Sequence, residues 1–119
     1  MLLFFCACAP AYGESKPSLK IGAVFSVTGR SSAIGVANKN TLLLVPEQVN
    51  RTGGIDGFPL EVLMEDDQTL ESAAKAVVQK LIDTAKALAV VCPCTSGNSL
   101  AVKAICESAK IQMILATLR

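Results

Sequence analysis

With 119 residues, 51% of them apolar and 18% charged, the chain is long enough to bury one small core and too short for two. Its 11 basic and 10 acidic side chains give a net charge of +1, with the basic residues scattered, and one Tyr and no Trp leave nothing to stack on bases, which excludes nucleic-acid binding. Histidine is absent, which removes the commonest general base and the commonest metal ligand together.

Met1 to Ala11, MLLFFCACAPA, is apolar and too short to span a bilayer, the pattern of an export signal, although no Lys or Arg precedes Lys16. Cleavage after Gly13, in an A-x-G context, makes residues 1–13 the signal and 14–119 the mature chain. A lipoprotein signal with Cys8 as the lipid-bearing residue is the alternative, with Phe5 where such signals usually carry Leu. The mature chain keeps Cys92, Cys94 and Cys106, expected as small buried apolar side chains. A Cys92–Cys94 bridge would be strained, a bridge from either to Cys106 stays open, and three thiols make a weak zinc site.

Ser18 to Val27, SLKIGAVFSV, reads as a strand buried on both faces, bounded by Pro17 and Gly29. A glycine-punctuated loop follows, and from Gly35 to about Asn50 a helix is expected, with Ala37, Thr41, Leu44, Val45 and Gln48 or Val49 along its inner face. Pro46 lacks an N–H and predicts a kink or an early end. Thr52 to Gly57, TGGIDG, is a dense turn. Pro59 to Glu65 alternates as an edge strand with one wet face. Of the Asp66/Asp67 pair that ends it, one is expected to cap the loop and the other to be solvated, because adjacent residues on a strand point apart.

The cleanest periodicity comes next: Leu70, Ala73, Ala74, Val77, Val78, Leu81, Ile82 and Ala85 follow the i, i+3, i+4, i+7 template, with Thr69 as cap and Glu71 complementing the helix dipole. Leu88 to Cys92 is a short strand, Pro93 to Gly97 a loop, and Asn98 to Ala109 a helix with Ala101, Ala104, Ile105 and Ser108 or Ala109 inward. Gln112 to Ala116 is a fourth strand. The order β-α-β-α-β-α-β with short connections implies right-handed crossovers and an α/β fold of Rossmann-like type, an open parallel sheet with helices on both faces. Strand order 2-1-3-4 would put the loops Thr28 to Ile34 and Pro93 to Gly97 beside the point where crossovers diverge, each leading into a helix N-terminus suited to a carboxylate or phosphate.

The loop SVTGRSSAIG, Ser26 to Gly35, admits two readings. As the phosphate turn of a short-chain dehydrogenase it meets three obstacles. Ala33 replaces a glycine, no Tyr-x-x-x-Lys is present because Tyr12 is the only tyrosine, and the ribose-binding acid expected about 20 residues on comes roughly ten too late, at Glu65 or Asp66. A nucleotide-binding fragment is therefore a remote alternative. The second reading draws on the whole chain. KIGAVFSVTG, EQVNRTGGIDGFPLEV, EDDQ, AAKAVVQKLI, CTSGNSLAV and AKIQMI, in this order and spacing, resemble the periplasmic leucine/isoleucine/valine-binding proteins, the solute receptors of branched-chain amino-acid ABC transporters.

The resemblance runs from about Leu19 to Ile114 and implies the beginning of the first lobe of a two-lobed fold. It implies a non-enzyme without cofactor or metal, an amino-acid ligand whose carboxylate lies near Thr95 and Ser96, and a membrane ABC permease as partner. Ile34 falls where relatives often set an aromatic ring, with a staple onto the following helix as its other reading. Ser31 and Ser32 line the same loop, and Thr117 lies near a third ligand loop. The sequence departs from the family pattern at Arg30 (usually proline), Cys92 (usually glycine), Leu43 (commonly polar) and mid-helix Pro46. The expected function is thus that of a solute-binding component in a truncated form lacking the second lobe; a ligand-sensing domain of a receptor of the same fold and a non-functional gene fragment are the alternatives.

Overall fold

The computed structural model describes residues 15–92 and 95–115; the expected export signal, Pro93, Cys94, Ala116 and Thr117 lie outside them. The elements are β1 (Leu19–Phe25), α1 (Ser32–Arg51), β2 (Leu60–Asp66), α2 (Glu71–Asp83), β3 (Ala89–Cys92), α3 (Ser96–Ser108) and β4 (Gln112–Leu115). All pairings are parallel, as the short crossovers predict, and the strand order is β2-β1-β3-β4, the order that sets the loops after β1 and β3 side by side. No helix among the described residues is long and apolar enough to cross a membrane.

Strand alternation sorts the core into two layers. Val24, Val90 and Cys92 point to one face and are buried against Ala74, Val78 and Leu81 of α2 and Val102 and Cys106 of α3. Ala23 and Phe25 point to the other, where Leu42 of α1 and Val62, Met64 and Val91 surround them. The edge strand β2 therefore has no wet face: Leu63 packs on the α2 side, and Glu65, on the same side, pairs with Lys80 of α2 at 2.5 Å.

α2 buries the stripe its periodicity predicts from Ala73 to Ala85 and leaves Leu70 exposed, whereas α1 is turned from its expected face and α3 is turned in part. On α1 the inward residues are Gly35, Asn38, Leu42 and Val49, while Ala37, Thr41, Leu44 and Val45 are exposed. The entry of the helix decides this. A Cβ at Gly35 would collide with the Ser26 carbonyl, so α1 starts in backbone contact with the end of β1. Its far end is tied at two points, Asn50 Nδ2 donating to the Leu60 carbonyl at 2.9 Å and Leu60 N–H donating to Asn50 Oδ1 at 2.7 Å. Held at both ends, the helix continues through Pro46 instead of ending there. On α3 the buried residues are Asn98, Ser99, Val102 and Cys106; Ile105 packs against this core and Ala101 is half-buried, as expected, whereas Ala104, Ser108 and Ala109 face outward.

Cys92 and Cys106 are free, fully buried thiols. Burial, with the neighbouring Cys106 adding to it, pushes the Cys92 thiol up to about 12. Burial raises Cys106 as well, and its hydrogen bond with Cys92 acts in the opposite direction.

Candidate functional site

β1 and β3 are neighbours, yet α1 leaves β1 toward one face and α3 leaves β3 toward the other. Crossovers that part in this way open a crevice beyond the carboxyl ends of their strands. Both helices begin there, so first-turn hydroxyls gather at one edge, although at α1 the N–H groups of Ser31, Ser32, Ile34 and Gly35 already donate to Thr69 Oγ1 and to the Gly29 and Ser31 carbonyls. Thr95 is the N-cap of α3, its Oγ1 accepting from the Asn98 N–H at 3.4 Å and its carbonyl from the Ser99 N–H at 3.0 Å. Ser96, exposed, opens the helix. Ser31 stands at the N-cap of α1, where its hydroxyl makes no capping bond, and Ser32 is the first helical residue. Ile34 is 40% exposed, one turn in. Thr117 lies outside the described residues.

Three loops meet at this edge. The turn after β2 carries Gln68 and Thr69 in the left-handed region, at φ 53° and 61°. For a β-branched residue that conformation is strained, and the two aspartates before it hold it. Asp66 Oδ1 accepts from the N–H groups of Val27, Thr28 and Gln68, and its Oδ2 from the Thr28 hydroxyl at 2.5 Å. Burial taken alone raises the Asp66 pKa, but the Thr28 hydroxyl and the N–H groups of Gln68, Thr28 and Val27 together outweigh it, so the net direction is downward.

Asp66 thus caps the loop as expected. Asp67 is not solvated: it is wholly buried, accepting from the Ser26 hydroxyl at 2.6 Å, the Thr69 N–H at 2.9 Å and Asn98 Nδ2 at 2.8 Å. Thr69 does not cap α2, whose N-cap is Leu70. Its hydroxyl instead joins the first loop, accepting from Ser31 N–H at 3.3 Å and donating to the Thr28 carbonyl at 3.4 Å. The closeness depends on Gly29, at φ +85°, where any Cβ would strike the Gln68 carbonyl.

Ser31, Ser32, Ile34, Thr95 and Ser96, the residues expected from the sequence, thus stand along this edge, and Ser26, Asp67, Thr69 and Asn98, which were not expected there, join the loops beneath it. The available signal was a polar residue ending a buried strand, Ser26, set against a second acid at the end of the next. Among the described residues no three Cys, Asp or Glu side chains converge as metal ligands. What the edge offers is a set of hydroxyl and amide donors, chemistry suited to holding an anionic group.

A family model described as periplasmic binding protein matches residues 18–118. The leucine-, isoleucine-, valine-, threonine- and alanine-binding protein of Pseudomonas aeruginosa is 29% identical over 88 residues, 74% of this chain and 24% of that protein. Among solved structures, the branched-chain amino acid transporter substrate-binding protein LivJ of Streptococcus pneumoniae, in complex with isoleucine, superposes with a TM-score of 0.82 at 32% identity, over 86% of this chain and 30% of that one. The leucine-binding protein LivK of Thermotoga maritima gives 0.76 at 25% identity, over 85% and 28%. The chain spans less than a third of the length of each of these relatives.

Proposed function

The chain belongs to the periplasmic binding protein family, and on that premise we propose that it is the amino-terminal part of the first lobe of a solute-binding protein delivering branched-chain or related amino acids to a membrane ABC permease. The observation that carries this reading is the parting of α1 and α3 from adjacent strands, with the N-terminus of α3 left open beyond the sheet. A ligand carboxylate there accepts from the Ser96 and Gly97 N–H groups, which have no intrahelical partner, and from the hydroxyls of Thr95 and Ser96. Thr95 Oγ1 accepts from Asn98 while its own proton stays available, so capping and binding coexist.

Ser31 and Ser32 form the opposite wall, Ile34 is the apolar contact for the ligand side chain, and Thr117 contributes from a third loop. Residues 1–13 direct export, so the protein works in the periplasm or outside the cell. Binding is reversible and involves no catalytic step. The donors gathered at this edge suit a carboxylate and leave the ammonium without a partner, so tight binding requires a second lobe.

Two-dimensional NMR of the purified chain tests the site. Isoleucine at millimolar concentration is expected to shift the amides of Thr95 to Gly97 and Ser31 to Ile34. The amine 2-methylbutylamine, which has the same side chain and no carboxylate, is expected not to. Equal shifts with the amine, or shifts confined to other residues, overturn the site. Calorimetry with leucine, isoleucine and valine is expected to show no micromolar affinity; finding it would refute the need for a second lobe.

A further inference from the structure

Asp67 is the one carboxylate among the described residues that is completely buried, and each of its three hydrogen-bond partners is a neutral group from a different segment: Ser26 at the end of β1, Thr69 in the turn after β2, and Asn98 in the first turn of α3. Ser26 and Asn98 are themselves buried. A carboxylate inside a core costs more than an apolar side chain of similar size, so its presence stabilises little by itself. Its use lies in fixing geometry. Two hydrogen-bond routes lead outward from it to the rims of the candidate site. Through Asn98, whose side chain donates to Asp67 while its backbone N–H donates to Thr95, it reaches the α3 cap. Through Thr69, whose N–H donates to Asp67 while its hydroxyl accepts from Ser31 N–H, it reaches the first loop.

We propose that Asp67 is a positioning residue that locks the α3 N-terminus and the β1–α1 loop in one fixed relation, so that Thr95 and Ser96 face Ser31 and Ser32 before any ligand arrives. The proposal rests on the reading of this edge as the ligand site. It explains why a left-handed threonine is tolerated at position 69: the strained turn aims one hydroxyl at Ser31 while its N–H is held by Asp67. It also explains a buried asparagine on the face of α3 where the apolar pattern expects none.

Amide hydrogen exchange on the ligand-free full chain tests it without reference to binding. Asn98→Ala removes the tether but keeps the Thr95 cap. It is expected to raise exchange at the Asn98 and Ser99 amides, both bonded to Thr95, about tenfold, the effect of one buried hydrogen bond, with Val78 and Leu81 in α2 unchanged. Asn98→Asp sets two carboxylates face to face and should be worse, and the exchanged pair Asp67→Asn/Asn98→Asp should recover protection because donor and acceptor are only swapped. If Asn98→Asp fails to fold, recovery of a dispersed spectrum in the exchanged pair supports the proposal, and no recovery counts against it.

Unchanged exchange at Asn98 and Ser99 in Asn98→Ala, or a rise shared equally by Val78 and Leu81, overturns the proposal, the second outcome marking a merely stabilising residue. An added isoleucine titration separates this from the functional reading. Shifts at Thr95 to Gly97 that vanish in Asn98→Ala and return in the exchanged pair support both. Failure of isoleucine to shift the unmodified chain defeats the ligand assignment and leaves the exchange result to decide the role of Asp67.

Discussion

The two faces of the sheet carry similar apolar residues and close to different degrees. On the α2/α3 side two helices lie over the sheet, with Leu63 of β2 under α2, and Val24, Val78, Leu81, Val90, Cys92, Val102 and Cys106 are shut away from solvent. On the other side α1 alone covers β1 and β2. Ala23, Phe25 and, at the start of β2, Leu60 are buried there, Val91 is half-buried, and Ile114 of β4 remains exposed. Composition does not separate the faces, because α1 also holds Val36, Leu43 and Leu44 out in solvent. Cover separates them: a side chain gains the full transfer free energy only when neighbours exclude water on every side.

The strongest test of this difference is chemical. On the closed face the Cys92 thiol, with its pKa near 12, should react with iodoacetamide at pH 8 about a thousandfold more slowly than an exposed thiol and reach normal reactivity only in denaturant, followed residue by residue by mass spectrometry. Rapid labelling of Cys92 in the folded chain would mean that this face opens readily. On the open face the sharpest lesion is a single methyl group. Gly35→Ala must push α1 off the Ser26 carbonyl, and a loss of about 4 kcal/mol, or failure to fold, is expected in urea titrations. Truncating the leucines then compares the two faces directly: Leu81→Ala, fully buried, should cost about 3 kcal/mol, and Leu42→Ala, half-buried under α1, about 1 kcal/mol. Equal losses would show that the open face is packed as well as the closed one.

The same contrast explains what could be read from the chain. α2 was legible because one uninterrupted apolar stripe meets a fully covered face, so periodicity and burial coincide. In α1, Leu42, Leu43, Leu44 and Val45 present apolar surface on every side, and no period selects a face. Orientation comes from the Gly35 contact with β1 and the Asn50 tie to β2, both made by residues distant in sequence. In α3 two of the four buried residues are polar, Asn98 and Ser99, and a search for apolar periodicity passes over them. The candidate site divides in the same way. Its rim, at Thr95, Ser96, Ser31 and Ser32, follows from helix starts and strand order. Its support, Ser26–Asp67–Asn98, joins residues 31 to 41 positions apart, and nothing local marks Asp67 rather than Asp66 as the one that turns inward.

The smallest expected effect falls at the edge between the two faces and differs from the others in depending on pH. Asp66 is lowered in the folded chain because hydrogen bonds from Thr28, Gln68 and Val27 exceed the opposing effect of burial. A carboxylate depressed on folding contributes stability that is fully present above its unfolded pKa, about 4, and is lost as pH falls through its lower folded value. Thr28→Val deletes the hydroxyl donor to Oδ2 and leaves the backbone donors to Oδ1 in place. Its carboxyl titration, followed by NMR, should move back toward the ordinary range, and the acid unfolding midpoint should shift slightly upward. Leu81→Ala has no ionisable partner and should cost the same at pH 7 as at pH 4. If Thr28→Val also proved independent of pH, the first loop would be held to β2 by packing and backbone shape, as the two faces are, and the Asp66 charge would have no part in closing the edge where the proposed ligand enters.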